Sequence, residues 1–230
     1  MTANMSADFQ VAAPAVAPRG RFVVLEGIDG CGKSTQIEAL RRWLPASGLL
    51  ATGAELLVTR EPGGTALGAA LRQLLLHPPG EAAPEPLAEL LLYAADRAQH
   101  VEQCIRPALA AGDWVLSDRY SGSTAAYQGY GRGLDLARIA QLEQLATGGL
   151  APDLTIWLEL PLAESLRRRG ERTADRIEAS GEAFLQRVSD GFAELAAAQG
   201  WRRVDATGAP AQVAAACCGL LAELVAGSPP

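Results

Sequence analysis

Eight consecutive residues near the start of the chain carry the strongest chemical motif in the sequence. Residues 27–34 read GIDGCGKS, which matches the pattern G-x-x-x-x-G-K-[ST] at every position. Glycines at these positions allow the backbone to fold so tightly that several N–H groups point at one phosphate group. The Lys33 ammonium would neutralise phosphate charge, and the Ser34 hydroxyl is a suitable ligand for Mg²⁺. The motif therefore predicts a site for the phosphate chain of a nucleotide.

Lys33 is the only lysine in the chain, since the other 19 of its 20 basic residues are arginines. A GTPase of the Ras type reads guanine with the motif N-K-x-D, which would need a second lysine. That class is excluded, and kinases and ATPases remain. Asp118 follows an apolar run and is the candidate for a carboxylate near the Mg²⁺ of such a site. A surface turn is the alternative interpretation of Asp118.

The composition narrows the class of protein further. The chain has 230 residues, 49% of them hydrophobic, which predicts one domain with a sizeable core. The net charge of −6 argues against a protein that coats nucleic acid, and no apolar run approaches the roughly 20 residues needed to cross a bilayer. Residues 1–19 are expected to form a disordered tail rather than a secretory signal, because they lack a basic start. Four cysteines without a C-x-x-C pair fit a reducing cytoplasm.

Short apolar runs alternate with longer segments of helical spacing. The predicted strands are residues 22–26, 56–59, 114–117, 154–158 and 201–204. The predicted helices include residues 35–44, 67–76, 86–111, 134–146, 182–198 and 210–225. This alternation indicates an α/β fold, with helices on both faces of a five-stranded parallel sheet. A single domain is predicted over residues 20–230, with loops at residues 78–86 and 129–133 and a short, charged, mobile lid at about residues 167–178.

Polar groups follow the second predicted strand and line one predicted helix. Ligands of parallel sheets bind at the carboxyl ends of strands, so Arg60 is expected to face the same crevice as the phosphate loop. Its guanidinium suits a phosphate monoester, although a surface ion pair is the other interpretation. Tyr93 and Arg97 lie four residues apart and therefore share a helix face. This pair could stack on a base and donate to its edge, or be an aromatic at the core edge beside a solvated charge.

Several collinear motifs together are similar to those of one enzyme family. Over roughly residues 20–226 the chain resembles thymidylate kinase, which transfers a phosphoryl group from ATP to dTMP. The motifs that carry the resemblance are residues 25–30 (LEGIDG), 59–65 (TREPGGT), 91–100 (LLYAADRAQH), 118–120 (DRY), 126–129 (AYQG) and 175–178 (DRIE). The resemblance implies a P-loop NTPase fold, ATP and Mg²⁺ as cofactors, dTMP as the acceptor substrate, and a homodimer in the cytoplasm.

The resemblance also implies roles for residues at matching positions. Arg60 and Arg119 would hold the dTMP phosphate, with Asp29 near this phosphate and the 3′-hydroxyl. Arg97 matches an arginine that donates to thymine O4, and Thr124 matches a polar group at the base edge. The expected ATP-binding residues are Gly27, Ile28, Asp29, Gly30, Cys31, Gly32, Lys33, Ser34 and Thr35. The expected dTMP-binding residues are Asp29, Arg60, Tyr93, Arg97, Arg119, Ser123, Thr124, Tyr127 and Gln128.

Two of these positions involve aromatic rings. Tyr93 stands where the family usually has a phenylalanine that stacks on thymine, so the stacking face is kept and a hydroxyl is added. Tyr127 matches an aromatic residue that packs under the sugar and disfavours a 2′-hydroxyl. The added hydroxyl at Tyr93 bears on fine base preference and leaves the class of substrate unchanged.

Phosphoryl transfer needs positive charge on the migrating group in the transition state. Some members of the family place an arginine in the phosphate loop, at the position of Gly30 in this chain. The charge is therefore expected from the lid, with Arg172 as the main contact and Arg168 as a second candidate. A solvated basic helix end is the other interpretation of these arginines. The expected catalytic residues are Lys33, Asp29, Arg172, Arg168 and Asp118, and the expected Mg²⁺ ligands are Ser34 and Asp118.

Two other functions remain open from the sequence. One is a P-loop kinase that acts on a different nucleoside monophosphate, from which the base-edge residues Arg97 and Thr124 would distinguish this chain. The other is a nucleotide-binding regulator without turnover, against which the presence of the whole phosphate-handling set argues. Among the remaining polar residues, Cys31 is expected either to form a reactive thiolate at a helix N-terminus or to fill a small slot. His77 and His100 lack metal-ligand spacing and are expected to be structural or to face solvent.

Overall fold

The structure is a computed structural model that describes residues 20–80, 83–170 and 175–227. The predicted tail at residues 1–19 lies outside the described residues. The same holds for Arg172, within residues 171–174 of the predicted lid. The described residues form one α/β unit around a parallel sheet.

Five parallel strands form this sheet within the described residues. They are β1 (Phe22–Glu26), β2 (Leu56–Arg60), β3 (Trp114–Asp118), β4 (Leu154–Glu159) and β5 (Arg202–Asp205), in the spatial order β2-β3-β1-β4-β5. The predicted α/β fold with a five-stranded parallel sheet is thus confirmed. All five residues of the central strand β1 are buried, as expected for a strand covered on both faces.

Helices cover the two faces of the sheet. In chain order they are α1 (Lys33–Trp43), α2 (Ala66–Leu76), α3 (Pro86–His100), α4 (Arg106–Ala111), α5 (Ser121–Thr124), α6 (Leu136–Thr147), α7 (Leu162–Arg169), α8 (Glu182–Gln199) and α9 (Pro210–Ala226). Successive side chains of β1 point to opposite faces, so Val23 and Leu25 join one core while Phe22 and Val24 join the other. No helix among the described residues is long and apolar enough to span a membrane.

Two predicted segments differ from the structure by more than one or two residues at an end. The helix predicted over residues 86–111 is interrupted by a wide π-helical turn at Val101–Ile105. This turn lies just before Pro107, which has no N–H group to continue the regular hydrogen-bond ladder. The loop predicted at residues 129–133 is wrong for residues 129–131, because a second π-helical segment, Ala125–Gly131, continues from α5. Its glycines serve close packing: a Cβ on Gly131 would lie 2.6 Å from the Phe184 ring.

The predicted lid begins inside a regular helix. Arg167, Arg168 and Arg169 form the last turn of α7, and a short 3₁₀ turn at Glu178–Ser180 precedes α8. Helix α7 therefore carries the first lid arginines on a rigid element. These basic residues lie at a helix C-terminus, where they interact favourably with the helix dipole.

A buried carboxylate on α3 holds the segment after β2 in place. Asp96 is 1% exposed, and its Oδ1 accepts a hydrogen bond of 3.1 Å from the Gly63 N–H. Its Oδ2 is buried and has no hydrogen-bond partner among the described residues. Burial, together with the negative charge of Glu61, raises the pKa of Asp96 to about 6. The native state therefore binds a proton at Asp96 more tightly than the unfolded chain does.

We predict that the free energy of unfolding of Asp96→Asn increases relative to that of the wild type as the pH rises. The raised pKa means that the stabilising contribution of protonated Asp96 is complete below the unfolded pKa of about 4 and is lost as pH rises through about 6. Urea unfolding at pH 5 and pH 8 should show the variant gaining about 1 kcal/mol relative to the wild type over this interval. An equal difference in the free energy of unfolding at both pH values would contradict the assignment.

Candidate active site at the carboxyl edge of the sheet

The phosphate loop joins the end of β1 to the start of α1. Because all five strands are parallel, this loop and the segments after β2 and β3 meet at the same edge of the sheet. The Lys33 Nζ donates to the carbonyl groups of Gly27 and Ile28, at 3.0 and 3.1 Å. These two bonds hold the ammonium over the loop, where a phosphate chain would lie. The N-terminus of α1 adds its positive end to the same place.

Gly30 is required by both its backbone angle and its surroundings. Its φ is +81°, in the region that favours glycine, and a Cβ there would lie 3.0 Å from the Ser165 carbonyl oxygen. The Ser165 hydroxyl also donates to the Asp29 carbonyl oxygen at 2.6 Å. Helix α7 thus packs directly on the phosphate loop, which leaves no space for a side chain at Gly30.

The lid arginines of α7 point in different directions. Arg168 donates to Glu164 at 2.7 Å and, at 3.4 Å, to the carbonyl group of Thr207, which follows β5. The Cγ atom of Arg169 lies 3.3 Å from the position of a Cβ on Gly30, so this side chain runs along the phosphate loop. The Arg169 Nε is buried and has no hydrogen-bond partner among the described residues. Arg169, which the sequence analysis did not single out, is the described lid arginine placed beside the loop.

Asp29 links two cations at the centre of the site. Its Oδ1 accepts a hydrogen bond of 2.5 Å from Arg119 and lies 3.9 Å from the Lys33 Nζ, and its Oδ2 accepts one of 2.8 Å from the Tyr127 hydroxyl. Burial by itself would raise the pKa of Asp29, but Arg119, Lys33 and Tyr127 together hold it well below its usual value. Asp29 is therefore an ionised carboxylate that orients an arginine and a tyrosine toward the loop.

Arg119 occupies a strained backbone conformation. Its φ is 72°, and it is the one residue other than glycine with a positive φ in the described part of the chain. The guanidinium also donates to the Gly27 carbonyl group and to the Ser123 hydroxyl, at 3.0 and 2.9 Å. Ser123 in turn donates to buried Glu26 at 2.6 Å. Backbone strain held by so many contacts is characteristic of functional sites.

Arg97 is buried between two carboxylates. It is 2% exposed, donates through Nε to Glu61 at 2.7 Å, and donates through Nη1 to Glu143 at 2.5 Å and to Thr124 at 2.8 Å. Its Nη2 has no hydrogen-bond partner among the described residues. Arg97 and Thr124 line one cleft together with Asp29, Tyr93, Arg119, Ser123, Tyr127 and Gln128. The predicted base-reading and phosphate-holding side chains, except Arg60, are therefore brought together.

Arg60 lies in an adjoining cleft, with Ser34, Thr59 and Asp118 among its lining residues. A Cβ on Gly63 would lie 3.9 Å from the Arg60 Nε and 3.1 Å from the Arg72 Cδ, so the two arginines flank Gly63. Burial and the neighbouring charge of Arg60 lower the pKa of Arg72. Two adjacent cations without a shared carboxylate favour the binding of an anion between them.

The predicted metal ligands meet in that adjoining cleft. Ser34 lies in the first turn of α1, and Asp118 ends β3, and both line the same cavity. The Asp118 Oδ1 is buried and has no hydrogen-bond partner among the described residues. An unpaired carboxylate oxygen beside a hydroxyl is a suitable donor set for Mg²⁺. The residues present thus fit the metal that the motif implies.

Burial changes the expectation for Cys31. The side chain is 2% exposed, and burial raises the pKa of its thiol. Of the two alternatives, the structure favours the second: Cys31 fills a small slot below Gly27, where a Cβ would lie 2.9 Å from the Cys31 Sγ. His100 is fully buried and lies between Thr59 and Glu61, at 2.6 and 2.8 Å, so it is structural as expected.

Three residues of the site were not among those predicted from the sequence. Glu61, directly after Arg60, could have been recognised as part of the same motif. Glu143 comes from the middle of α6, where no motif marks it. Arg72 lies in α2, where the spacing of apolar residues predicts only a helix, and the fold brings it beside Gly63. These residues were missed because their partners lie far away in the sequence, 46 residues in the case of Glu143 and Arg97.

Comparisons with known proteins agree with this geometry. A family model described as thymidylate kinase matches residues 25–216. The thymidylate kinase of Synechococcus sp. strain RCC307 is 71% identical over 195 residues, which cover 85% of this chain and 92% of that protein. The thymidylate kinase of Prochlorococcus marinus strain MIT 9313 is 71% identical over 182 residues, which cover 79% and 84%.

A solved structure shows the same fold. The crystal structure of thymidylate kinase from Ehrlichia chaffeensis has a TM-score of 0.71 and 32% sequence identity, and the match covers 89% of this chain and 100% of that one. The resemblance inferred from the motifs is confirmed by the matching family, the close relatives and this shared fold. With a complete phosphate loop at the edge of its parallel sheet, the chain belongs to the thymidylate kinase family and is a kinase.

Proposed function

We propose that this enzyme transfers the γ-phosphoryl group of ATP to dTMP, giving ADP and dTDP for dTTP synthesis. One observation carries the proposal: Asp29 contacts both Lys33 of the phosphate loop and Arg119 of the cleft. A single carboxylate thereby joins a cation suited to the donor phosphates to a cation suited to the acceptor phosphate. Two neighbouring cationic positions, one for each nucleotide, favour transfer between two bound nucleotides rather than hydrolysis of one.

In the proposed reaction, an oxygen of the dTMP phosphate forms a bond to the γ-phosphorus of ATP. The bond from that phosphorus to the bridging oxygen breaks, and the electron pair leaves with ADP. Lys33 and the loop N–H groups stabilise the donor phosphates, and Arg119 and Arg60 hold the acceptor phosphate in line. Arg72 is an additional candidate for this phosphate, because its positive charge adjoins that of Arg60.

Ser34 and Asp118 would hold Mg²⁺ with the phosphates of ATP. The bound ion would supply further positive charge to the migrating group. The unpaired Asp118 Oδ1 supports this assignment. The Ser34 hydroxyl is exposed to the same cavity and would complete the protein's contribution.

Base recognition is assigned to the cleft around Arg97. Its unpaired Nη2 would donate to thymine O4, where cytosine has an amino group that also donates. Two donors in a buried site leave both unpaired, which discriminates strongly against cytosine. Tyr93 would stack on the ring, Tyr127 would pack under the sugar, and Thr124 with Gln128 and Ser123 would complete the polar lining of the cleft.

An ADP-release assay with Mg-ATP and a panel of dTMP, dUMP, dCMP, UMP, dGMP and AMP tests the reaction. We expect the highest kcat/KM for dTMP and a lower but measurable value for dUMP, since one methyl group is worth about 1–3 kcal/mol. Turnover led by another monophosphate would overturn the thymine-reading residues. ATP binding without turnover of any of them would favour a regulatory role.

Arg97→Lys tests base reading directly, because lysine keeps the charge and loses the planar fork. We expect kcat/KM for dTMP to fall about tenfold and the preference for dTMP over dCMP to fall with it. Arg106→Lys is the matched control, since Arg106 pairs with exposed Glu102 outside the cleft. A higher kcat/KM of the wild type for dCMP than for dUMP would contradict the role of Arg97.

The lid is proposed to supply the arginine that contacts the migrating phosphoryl group. Arg172 remains the first candidate from the sequence, and Arg168 the second. Arg169 joins them because its stem runs along the phosphate loop at Gly30. Any of the three would add charge where the transition state develops it.

Single alanine variants separate the three candidates. Replacing the arginine that contacts the transferred group should lower kcat about 10³-fold, as expected of an arginine finger. Arg167→Ala is the control, because Arg167 is exposed and pairs with Glu164. A change of less than about threefold in Arg172→Ala, with a severe loss in another variant, would overturn the choice of Arg172.

We propose a homodimer in the cytoplasm as the working form. The large hydrophobic side chains exposed within the described residues all lie on α2, α3 and α6, which pack side by side. They are Leu67, Leu74, Leu87, Leu91, Leu136 and Leu145. Such a concentration of apolar side chains on neighbouring helices favours an interface with a second copy. The four cysteines, all without disulfide bonds, fit a reducing compartment.

Sedimentation velocity tests the dimer. Wild-type protein should sediment at twice the monomer mass, and Leu91→Glu should shift it toward monomer, because a buried charge opposes apolar association. Ala197→Glu, at an exposed position of α8, is the control and should leave the mass unchanged. A monomeric wild type at micromolar concentration would contradict the proposal.

A further inference from the structure

Glu89 is a fully buried carboxylate that contacts three polar side chains. It lies on α3, is 0% exposed, and accepts a hydrogen bond of 2.8 Å from Gln128 Nε2. Arg132 donates to it at 3.2 and 3.3 Å, and Arg176 donates to it at 2.5 Å. Of these partners, only Gln128 lines the cleft assigned to the base. Glu89 itself lies behind that cleft.

The charge of Glu89 determines how the Gln128 amide is turned. Burial by itself would raise the pKa of Glu89, but the hydrogen bonds from Arg132, Gln128 and Arg176 hold it below its usual value. An ionised carboxylate only accepts hydrogen bonds, so the amide nitrogen of Gln128 must face it. The amide oxygen is then at the opposite side of the group. This Oε1 has no hydrogen-bond partner among the described residues, which leaves it to accept from a ligand.

The cleft therefore presents one donor and one acceptor held by separate carboxylates. Glu61 and Glu143 fix Arg97, whose Nη2 is a donor, and Glu89 fixes Gln128, whose Oε1 is an acceptor. Thymine has a carbonyl acceptor at position 4 and an N–H donor at position 3. Cytosine has an amino donor at position 4 and an unprotonated acceptor nitrogen at position 3. The cleft complements thymine at both positions.

We propose that Glu89 is a positioning residue for base selection, which acts by orienting the Gln128 amide so that its oxygen accepts from thymine N3–H. This proposal rests on the proposed function, since it names a determinant of the acceptor site. It assigns to Glu89 no contact with the substrate. Arg132 and Arg176 keep Glu89 ionised, so the Gln128 amide has one favoured orientation.

Glu89→Gln is the decisive variant, because a glutamine there can both donate and accept. The Gln128 amide could then adopt either orientation. We expect KM for dTMP to rise severalfold, kcat to change less than about threefold, and the ratio of kcat/KM for dTMP over dCMP to fall about tenfold. Arg132→Met is the matched control: Arg176 still pairs with Glu89 and holds it ionised, and the bond to Gln128 stays, so the ratio should remain as in the wild type.

A double-mutant cycle distinguishes positioning from general structural support. Gln128→Met removes the amide while Glu89 stays in place, and it should lower the ratio to the same extent. The double variant Glu89→Gln/Gln128→Met should show no further loss of selectivity, because both changes remove the same acceptor. If Glu89→Gln fails to fold, as judged by thermal unfolding, Glu89→Asp is the second variant. It keeps the charge but draws the carboxylate away from Gln128, so unchanged selectivity in Glu89→Asp would overturn the proposal.

The outcomes separate this proposal from the proposed function. A wild type that does not prefer dTMP would overturn the proposed function itself. A wild type that prefers dTMP, together with a Glu89→Gln variant of unchanged selectivity, would overturn only the role of Glu89. Equal losses for dTMP and dCMP in Glu89→Gln, with additive effects in the cycle, would also overturn it and leave Glu89 a purely structural residue.

Discussion

The ionised carboxylate of Asp29 is the interaction on which the arrangement of the site depends. Lys33 and Arg119 are both withdrawn from solvent, and two such cations side by side would repel each other strongly at low dielectric. Asp29 offsets their charge and also holds the Tyr127 hydroxyl in the cleft that both residues line. The backbone strain at Arg119 is tolerated because this network holds its side chain at several points.

The same principle recurs around the cleft, where two further arginines pair with carboxylates from other elements. Arg97 lies between Glu61 and Glu143, and Arg176 pairs with Glu89. Buried ion pairs contribute little net stability, because desolvation of the charges offsets their attraction. Their effect here is orientation: Glu61 and Glu143 hold Arg97, and Glu89 holds Gln128, the two residues of these networks that share the cleft with Thr124. The orientation of the polar side chains in the cleft therefore depends on the carboxylates that bind them from behind, Glu61, Glu143 and Glu89.

Rigid packing between the phosphate loop and α7 connects this set to the lid. Gly30 has no side chain, so the Ser165 turn of α7 lies against the loop, and the stem of Arg169 follows it. A larger residue at position 30 would push α7 away. The absence of an arginine side chain at position 30 thus allows the close packing of α7, and this packing brings Arg169 beside the loop.

The sequence by itself determined the fold class, the phosphate loop and most of the cleft residues. These features depend on local patterns: strand and helix periodicity, glycine positions, and motifs that end strands at one edge of a parallel sheet. Only the tertiary structure decided which carboxylates orient which arginines, since Glu143 and Arg97 are 46 residues apart. It also decided the directions of Arg168 and Arg169 and the burial of Cys31. Such contacts arise from packing between distant elements, which spacing along one segment does not encode.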